Sequence, residues 1–403
     1  MKQKLMGLNG DEAAAYAIMQ VNPDVVAAYP ITPQTIIVEK YSEYVADGLV
    51  DSEFVTVESE HSALSCCVGA AATGARAYTA TASAGLALMW EICYVASGMR
   101  LPIIMSVANR ALSGPLNIHN DHSDAMGARD SGWIQIYCEN SQEVYDAHLT
   151  AWRIAEHLNV LLPIMVCFDG FTISHTMQNV NVIDDELVKN FVGKRFYPKV
   201  SGYFGETEYR LDPACAITMG AMDLQDYYFE HKAQQVDGMN AALKVIPEVE
   251  KELSLVTGRD YGLIQPYMMD DAEVAIIGLG SSMGTTRYVV DKLRAEGNKV
   301  GLIKIRSFRP FPAEAIFEAV GDCSVLGVIE KTLSFGAYCG PLCEDVKSLF
   351  YDTDKKPVIG AYVHGLGGRD TNPEMISEIY QSLLKAKTRG NVEHILNYVG
   401  LRE

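Results

Sequence analysis

Short, uninterrupted apolar runs alternate with helix-period segments along most of this chain, and that alternation restricts the fold more than any other feature. In the first part the apolar runs fall at 25–29, 54–58, 76–82, 102–108, 133–138 and 163–168. Helical periods lie between them, at 11–21, 33–46, 61–73, 86–99 and 141–158. Asn9 followed by Glu12 predicts a capping box at the start of the first helix, each side chain bonding the other residue's amide. Strands that are apolar throughout must be covered on both faces. Strand–helix alternation therefore predicts a parallel sheet with helices on both sides.

The pattern returns after a break. Runs at 273–280, 299–305, 325–331 and 357–365 alternate with helices, one ending at Gly297 and the last spanning 373–386. The intervening stretch is rich in Tyr and mixed charge, then carries one long helical period to about residue 256. The predicted fold class is α/β, with two parallel-sheet αβα domains at 1–200 and 266–388. A connector at 201–265 wraps over a partner or domain surface, and a C-terminal tail at 389–403 is expected to pack on something.

Charge and cysteine usage narrow the function. Lys and Arg number 33 against 51 Asp and Glu, a net of −18, which argues against nucleic acid or an anionic membrane as principal partner. No run of 18 apolar residues is present and the first residues lack the pattern of a secretory leader, so a cytoplasmic location is expected. The 9 cysteines are scattered, which suits neither a disulfide framework nor an iron–sulfur cluster.

Several constellations could carry chemistry. Tyr29-Pro30-Ile31-Thr32-Pro33 closes the first run of the sheet. Thr32 is expected as an N-cap and Pro33 as the first helical residue, making a crest at the C-terminal sheet edge, where ligands bind in such folds. Glu58 and Glu60 flank a helix of small residues; a buried carboxylate there can share a proton with a ring nitrogen, and spacing leaves the two open. Arg110 ends the fourth run, where a guanidinium suits a carboxylate ligand or an ordinary ion pair. His119 and His122 lie in a loop without a clear third metal ligand, so no metal site is assigned. Gly278, Gly280 and Gly284 miss the dinucleotide spacing and are read as a tight strand–helix turn. The Gly365–Asp370 loop could meet an anion or a neighbouring subunit.

Together these motifs resemble the α chain of the four-subunit 2-oxoacid:ferredoxin oxidoreductases, most closely the pyruvate enzymes. YPITPQT, VESEHSA, TATASAGLALM, NRALSGPLNIHNDHSDAMGARDSGW, FDGF, RPFP and GLGGRD follow in family order, and the likeness reaches the closing YVGLRE. Ala84 departs from the Gln usual in a TASQGL-like loop, which loosens the reading of that loop's cofactor contacts.

The resemblance implies a pyrimidine-type thiamine-diphosphate domain followed by a transketolase C-terminal-like domain. It implies oxidative decarboxylation of pyruvate, reversibly, with coenzyme A as acyl acceptor and ferredoxin as electron acceptor. Motif by motif, it puts Glu60 on the aminopyrimidine ring, Thr32 and Arg110 on the substrate's carbonyl and carboxylate, and Tyr29 and Pro30 along the cofactor wall. The chain has no GDG motif. A β subunit is therefore expected to hold the diphosphate and Mg²⁺, and partner subunits, γ and δ among them, the [4Fe-4S] clusters. Alternatives are family members acting on 2-oxoisovalerate, 2-oxoglutarate or oxalate, a non-redox transketolase-like subunit, a nicotinamide-dependent dehydrogenase, and a structural chain that has lost the chemistry.

Overall fold

The computed structural model describes residues 3–202 and 205–402. Its largest sheet has seven strands, running edge to edge as Ser307–Arg309, Ile134–Tyr137, Ile164–Asp169, Ile103–Asn109, Ala77–Thr81, Val25–Ala28 and Glu53–Thr56. Six of these strands pair in parallel; Ser307–Arg309 is antiparallel to its neighbour. The second sheet has six strands, in the order Ile264–Tyr267, Val300–Ile305, Val274–Gly278, Val325–Glu330, Val358–Val363 and Leu396–Tyr398. Only its first strand is antiparallel. The C-terminal tail thus packs on its own chain, adding Leu396–Tyr398 beside Val358–Val363.

The expected helices form, with local corrections. The capping box is present, with Glu12 N 2.8 Å from Asn9 Oδ1 and Asn9 N 3.0 Å from Glu12 Oε2. The helix expected at 86–99 is two, Ser83–Leu88 and Trp90–Gly98. The Pro33 helix starts later, at Thr35, with Gln34 rather than Thr32 at its N-cap position. Its cause is tertiary: the Gln34 amide is buried and donates to Tyr29 O at 2.8 Å and to Ala80 O at 3.1 Å. That bridge holds 29–34 as a turn on the neighbouring strand. The strand itself stops at Ala28, so Tyr29 lies beyond it and is 36% exposed.

The long helix of the connector is Tyr228–Thr257, and its Ala242, Val245, Ile246, Val249 and Leu253 belong to the same core as Trp152 and Ile18. A second core contains Met105 and Tyr137 of the first sheet together with Ala275, Ile277 and Leu326 of the second. The two sheets therefore share one apolar interior. The chain also crosses directly between them at Arg306, fully buried between Ile305 of one sheet and Ser307 of the other. There its guanidinium bonds Glu250 at 3.0 Å and lies over the Tyr261 ring. A buried cation requires such a partner.

Candidate active site

The C-terminal edge of the large sheet gathers the candidate residues. Glu60 opens the helix Glu60–Ala72 and does not sit on a strand, because the preceding strand ends at Thr56. Ser59 caps that helix, its hydroxyl accepting from Ser62 N at 3.3 Å. A carboxylate in the first turn is favoured by the helix N-terminus. Buried Ala63, Cys67 and Ala71 let the helix close onto the sheet. The structure separates the two glutamates. Glu58 is exposed and accepts from the Ser62 hydroxyl at 2.7 Å, whereas Glu60 is buried.

Glu60 lies against Gly85. A Cβ at that glycine would sit 2.5 Å from Thr81 Oγ1 and 2.8 Å from Glu60 Oε1. The helix carrying Gly85 begins at Ser83, whose φ of 47° is unusual for a residue with a side chain. Ser83 is fixed there by two bonds, its amide to Asp124 Oδ2 at 2.9 Å and its hydroxyl to Ala111 O at 2.6 Å. Asp124 also accepts from Arg110 N at 2.9 Å and Asn109 Nδ2 at 2.8 Å. Burial pushes the Asp124 carboxyl above its usual range, and these donors oppose the shift. Asp124 thus connects the Glu60 side of the site to the Arg110 side.

Arg110 is buried and held by backbone oxygens. Nε donates to Asn117 O at 3.1 Å and Nη1 to Thr32 O at 2.9 Å. Thr32 and Pro30 are exposed on the crest beside it, together with Tyr29. The structure therefore brings Thr32 and Arg110 into direct contact, with Glu60 reached through Gly85, Ser83 and Asp124. Gln34, Ser83, Gly85 and Asp124 went unnoticed in the sequence. Ser83 and Gly85 lie in the TASAGLA segment, where the turn is too tight for two larger side chains, and that was the available signal.

The other motifs resolve differently. His119 packs on Phe171, with ring centres 4.7 Å apart, while buried His122 bonds Asp169 at 2.7 Å. Among the described residues no group of three or more His, Cys, Asp or Glu is placed to hold a metal ion. The glycines of 278–284 all serve protein packing. A Cβ would meet Met283 and Ile329 at Gly278, Asp169 and His122 at Gly280, and Glu139 at Gly284. Each of the three is a point of close approach to a neighbouring side chain.

Asp169 ties residues next to the two large sheets together. Its carboxylate accepts from His122 Nε2 and from Lys331 Nζ, the latter at 2.5 Å, and from Ser281. Burial raises such a carboxyl, but the Lys331 ammonium and His122 outweigh it and hold Asp169 far below the usual carboxylate range.

The residues fit an aminopyrimidine. Among the described residues no group donates to the Glu60 carboxylate, and the Thr81 hydroxyl beside it is buried and unpaired. The Glu60 side chain is mostly buried but its oxygens stay open to the site, so they are available to accept an N–H from a bound ring.

Known proteins resemble this chain in sequence and in fold. Residues 16–251 match the family model for pyruvate flavodoxin/ferredoxin oxidoreductase, thiamine diphosphate-binding, and residues 272–376 match pyruvate:ferredoxin oxidoreductase core domain II. The chain is 51% identical over 400 residues to pyruvate synthase subunit PorA of Thermotoga maritima, covering 99% of this chain and 98% of that one. It is 46% identical to the PorA subunit of Methanocaldococcus jannaschii, covering 98% of each chain. Ketoisovalerate oxidoreductase subunit VorA of Pyrococcus horikoshii is 40% identical, again over 98% of each. In fold, the chain resembles 2-oxoglutarate:ferredoxin oxidoreductase from Magnetococcus marinus at a TM-score of 0.71 and 20% identity, covering 94% of this chain and 65% of that longer one. A split-gene transketolase shares the fold at a TM-score of 0.51 and 12% identity, covering 95% of this chain and 98% of that one. With most of both large sheets matched and its curated relatives aligned almost end to end, this chain belongs to the pyruvate:ferredoxin oxidoreductase family and carries that family's thiamine-diphosphate-binding domain.

Proposed function

We propose that this chain is the α subunit of a pyruvate synthase. The assembled enzyme converts pyruvate, coenzyme A and oxidised ferredoxin to acetyl-CoA, carbon dioxide and reduced ferredoxin, reversibly. The observation that carries this reading is the carboxylate of the mostly buried Glu60, free of donors among the described residues and open to the site, on the same sheet edge as Thr32 and Arg110. Thiamine diphosphate, when bound, supplies the electron sink that lets a 2-oxo acid lose carbon dioxide.

Each residue has a distinct task. Glu60 accepts a hydrogen bond from a ring nitrogen of the aminopyrimidine and steers a proton there. Arg110 spends Nε and Nη1 on Asn117 and Thr32, which leaves Nη2 for the substrate carboxylate. The Thr32 hydroxyl, which makes no bond among the described residues, faces the 2-oxo oxygen. A neutral Thr32 offers no second positive charge, so a monocarboxylic acid is preferred. Pro30 and Tyr29 form the wall beside the cofactor.

A β subunit then supplies the diphosphate and Mg²⁺ end, and the γ and δ subunits complete the complex. Partner subunits carry the clusters that pass electrons to ferredoxin. The exposed Leu88 and Trp90, on helices packed against the one that Glu60 begins, offer apolar surface for such a neighbour. No helix of the described residues is long and apolar enough to cross a membrane. We place the enzyme in the cytoplasm, where 9 cysteines that are all thiols are at home.

The test is a substrate panel on the purified complex, with coenzyme A and ferredoxin. Pyruvate should give the highest kcat/KM. Preference for 2-oxoisovalerate, 2-oxoglutarate or oxalate would reassign the substrate within the family. A complex without iron that bleaches no viologen dye would overturn the redox assignment.

A further inference from the structure

We propose that the glycine turn Gly365–Asp370 of the second domain positions Arg110, acting through the loop at 111–122. This rests on the reading that Arg110 receives the substrate carboxylate. The orientation of its guanidinium depends on where Asn117 O lies, because Nε is bonded there at 3.1 Å. Asn117 belongs to a loop whose residues 112–116 are exposed and pack little of their own surface. Within that loop, Ala111 N donates to His119 O at 3.1 Å and His119 N to Asn117 Oδ1 at 2.7 Å. The first domain adds bonds from Asn120 Nδ2 to Thr172 Oγ1 at 3.2 Å and from Ser83 Oγ to Ala111 O, with the His119 ring on Phe171, and the second domain supplies grips at Asn117, Asn120 and His122.

They are specific. Asn117 Nδ2 donates to Gly367 O at 3.1 Å, and Gly368 N donates to Asn120 O at 2.9 Å. Two residues on, His122 N donates to Lys331 O at 2.7 Å, while the Lys331 ammonium shares Asp169 with the His122 ring. Gly365, Gly367 and Gly368 have φ of 66°, 63° and 77°, which side chains rarely adopt. A Cβ at Gly367 would overlap Asn117 Nδ2, and one at Gly368 would overlap His119. These glycines let one backbone lie directly on the other. The Gly368 amide is spent on Asn120 O, so it is not free to hold an anion.

The experiment measures steady-state kinetics of the assembled complex with Gly367→Ala. KM for pyruvate should rise about tenfold with a smaller change in kcat, since shared ground-state and transition-state binding is lost. KM for coenzyme A should not move. In an Arg110→Ala background, Gly367→Ala should add no further increase, because the residue it acts through is gone. Gly390→Ala is the control for backbone strain, with φ of 76° and nothing within 4 Å of an added Cβ, and should leave pyruvate KM unchanged. Should Gly367→Ala fail to assemble, Asn117→Ala removes the same tether without a clash, together with the His119 N bond to Asn117 Oδ1, and should raise KM about tenfold, the worth of two modest hydrogen bonds. A normal pyruvate KM in the tether variants, with Arg110→Ala impaired, would overturn the positioning role and spare the Arg110 reading. So would an equal rise in both backgrounds. Unchanged kinetics in Arg110→Ala would overturn the Arg110 reading, and the positioning role with it.

Discussion

Arg110 Nη1 donates to the carbonyl oxygen of Thr32 at 2.9 Å, so the cation and the crest of the site are one hydrogen-bonded unit. A lysine at this position would lose the planar fork that reaches Thr32, Asn117 and a ligand at once. Arg110→Lys is therefore expected to raise the pyruvate KM by roughly 10- to 100-fold even though the charge survives, since charge-assisted bonds are worth about 1.5–3 kcal/mol. Pyruvate titrations of the purified complex check this. Wild-type KM in the lysine variant would mean that point charge alone holds the substrate.

Glu60 and Gly85 make a linked pair for test. Glu60→Gln keeps the shape but cannot take up a proton, and turnover should fall by about 10²–10⁴, the range of general acid–base contributions. Gly85→Ala should act in the same direction by displacing the carboxylate, because its Cβ would lie 2.8 Å from Glu60 Oε1. The sign is informative. In an ordinary helix Gly→Ala stabilises by about 0.5–1 kcal/mol. Here overlap should outweigh that gain, so both Tm and kcat fall. Measured Tm and turnover of the complex settle it; a Gly85→Ala variant more stable than wild type and fully active would show that Glu60 has room to move.

Much of this was legible in sequence wherever the cause is local. The Asn9–Glu12 box formed because both partners lie within one turn. The apolar runs became strands because a run covered on both faces has few other uses, although Tyr29 and Glu58 fell outside them. What failed was set from far along the chain. The Thr32-Pro33 helix start lost to Gln34, whose second acceptor, Ala80 O, is 46 residues away. Ser83 holds φ of 47° because Asp124 binds its amide from 41 residues on. Glu60 could be preferred to Glu58 only through family resemblance, since periodicity does not reveal which of two nearby carboxylates a helix start will bury. The Asn117–Gly367 bond spans 250 residues, and no local pattern carries it.

Glu330 gives a pH test that is independent of catalysis. It ends the strand Val325–Glu330 and is buried, accepting from Leu342 N at 2.8 Å and Cys343 N at 3.1 Å at the start of the helix Pro341–Tyr351. Burial is the larger effect and pushes its carboxyl up to about 7 from the ordinary 4.5, the two amides opposing. A raised folded pKa means the folded chain holds a proton that the unfolded chain gives up. The stabilisation from that proton is complete below about pH 4.5 and is lost as pH rises through about 7. Glu330→Gln keeps an oxygen for the amides and removes the charge, so it should flatten the fall in Tm across that window. The variant should exceed wild type on the alkaline side by a few kcal/mol at most, each pKa unit being worth about 1.4 kcal/mol. Thermal melts of both proteins from pH 5 to about 8.5 provide the comparison. Parallel curves would mean that Glu330 ionises as readily folded as unfolded, with water reaching it through the loop beyond Lys331.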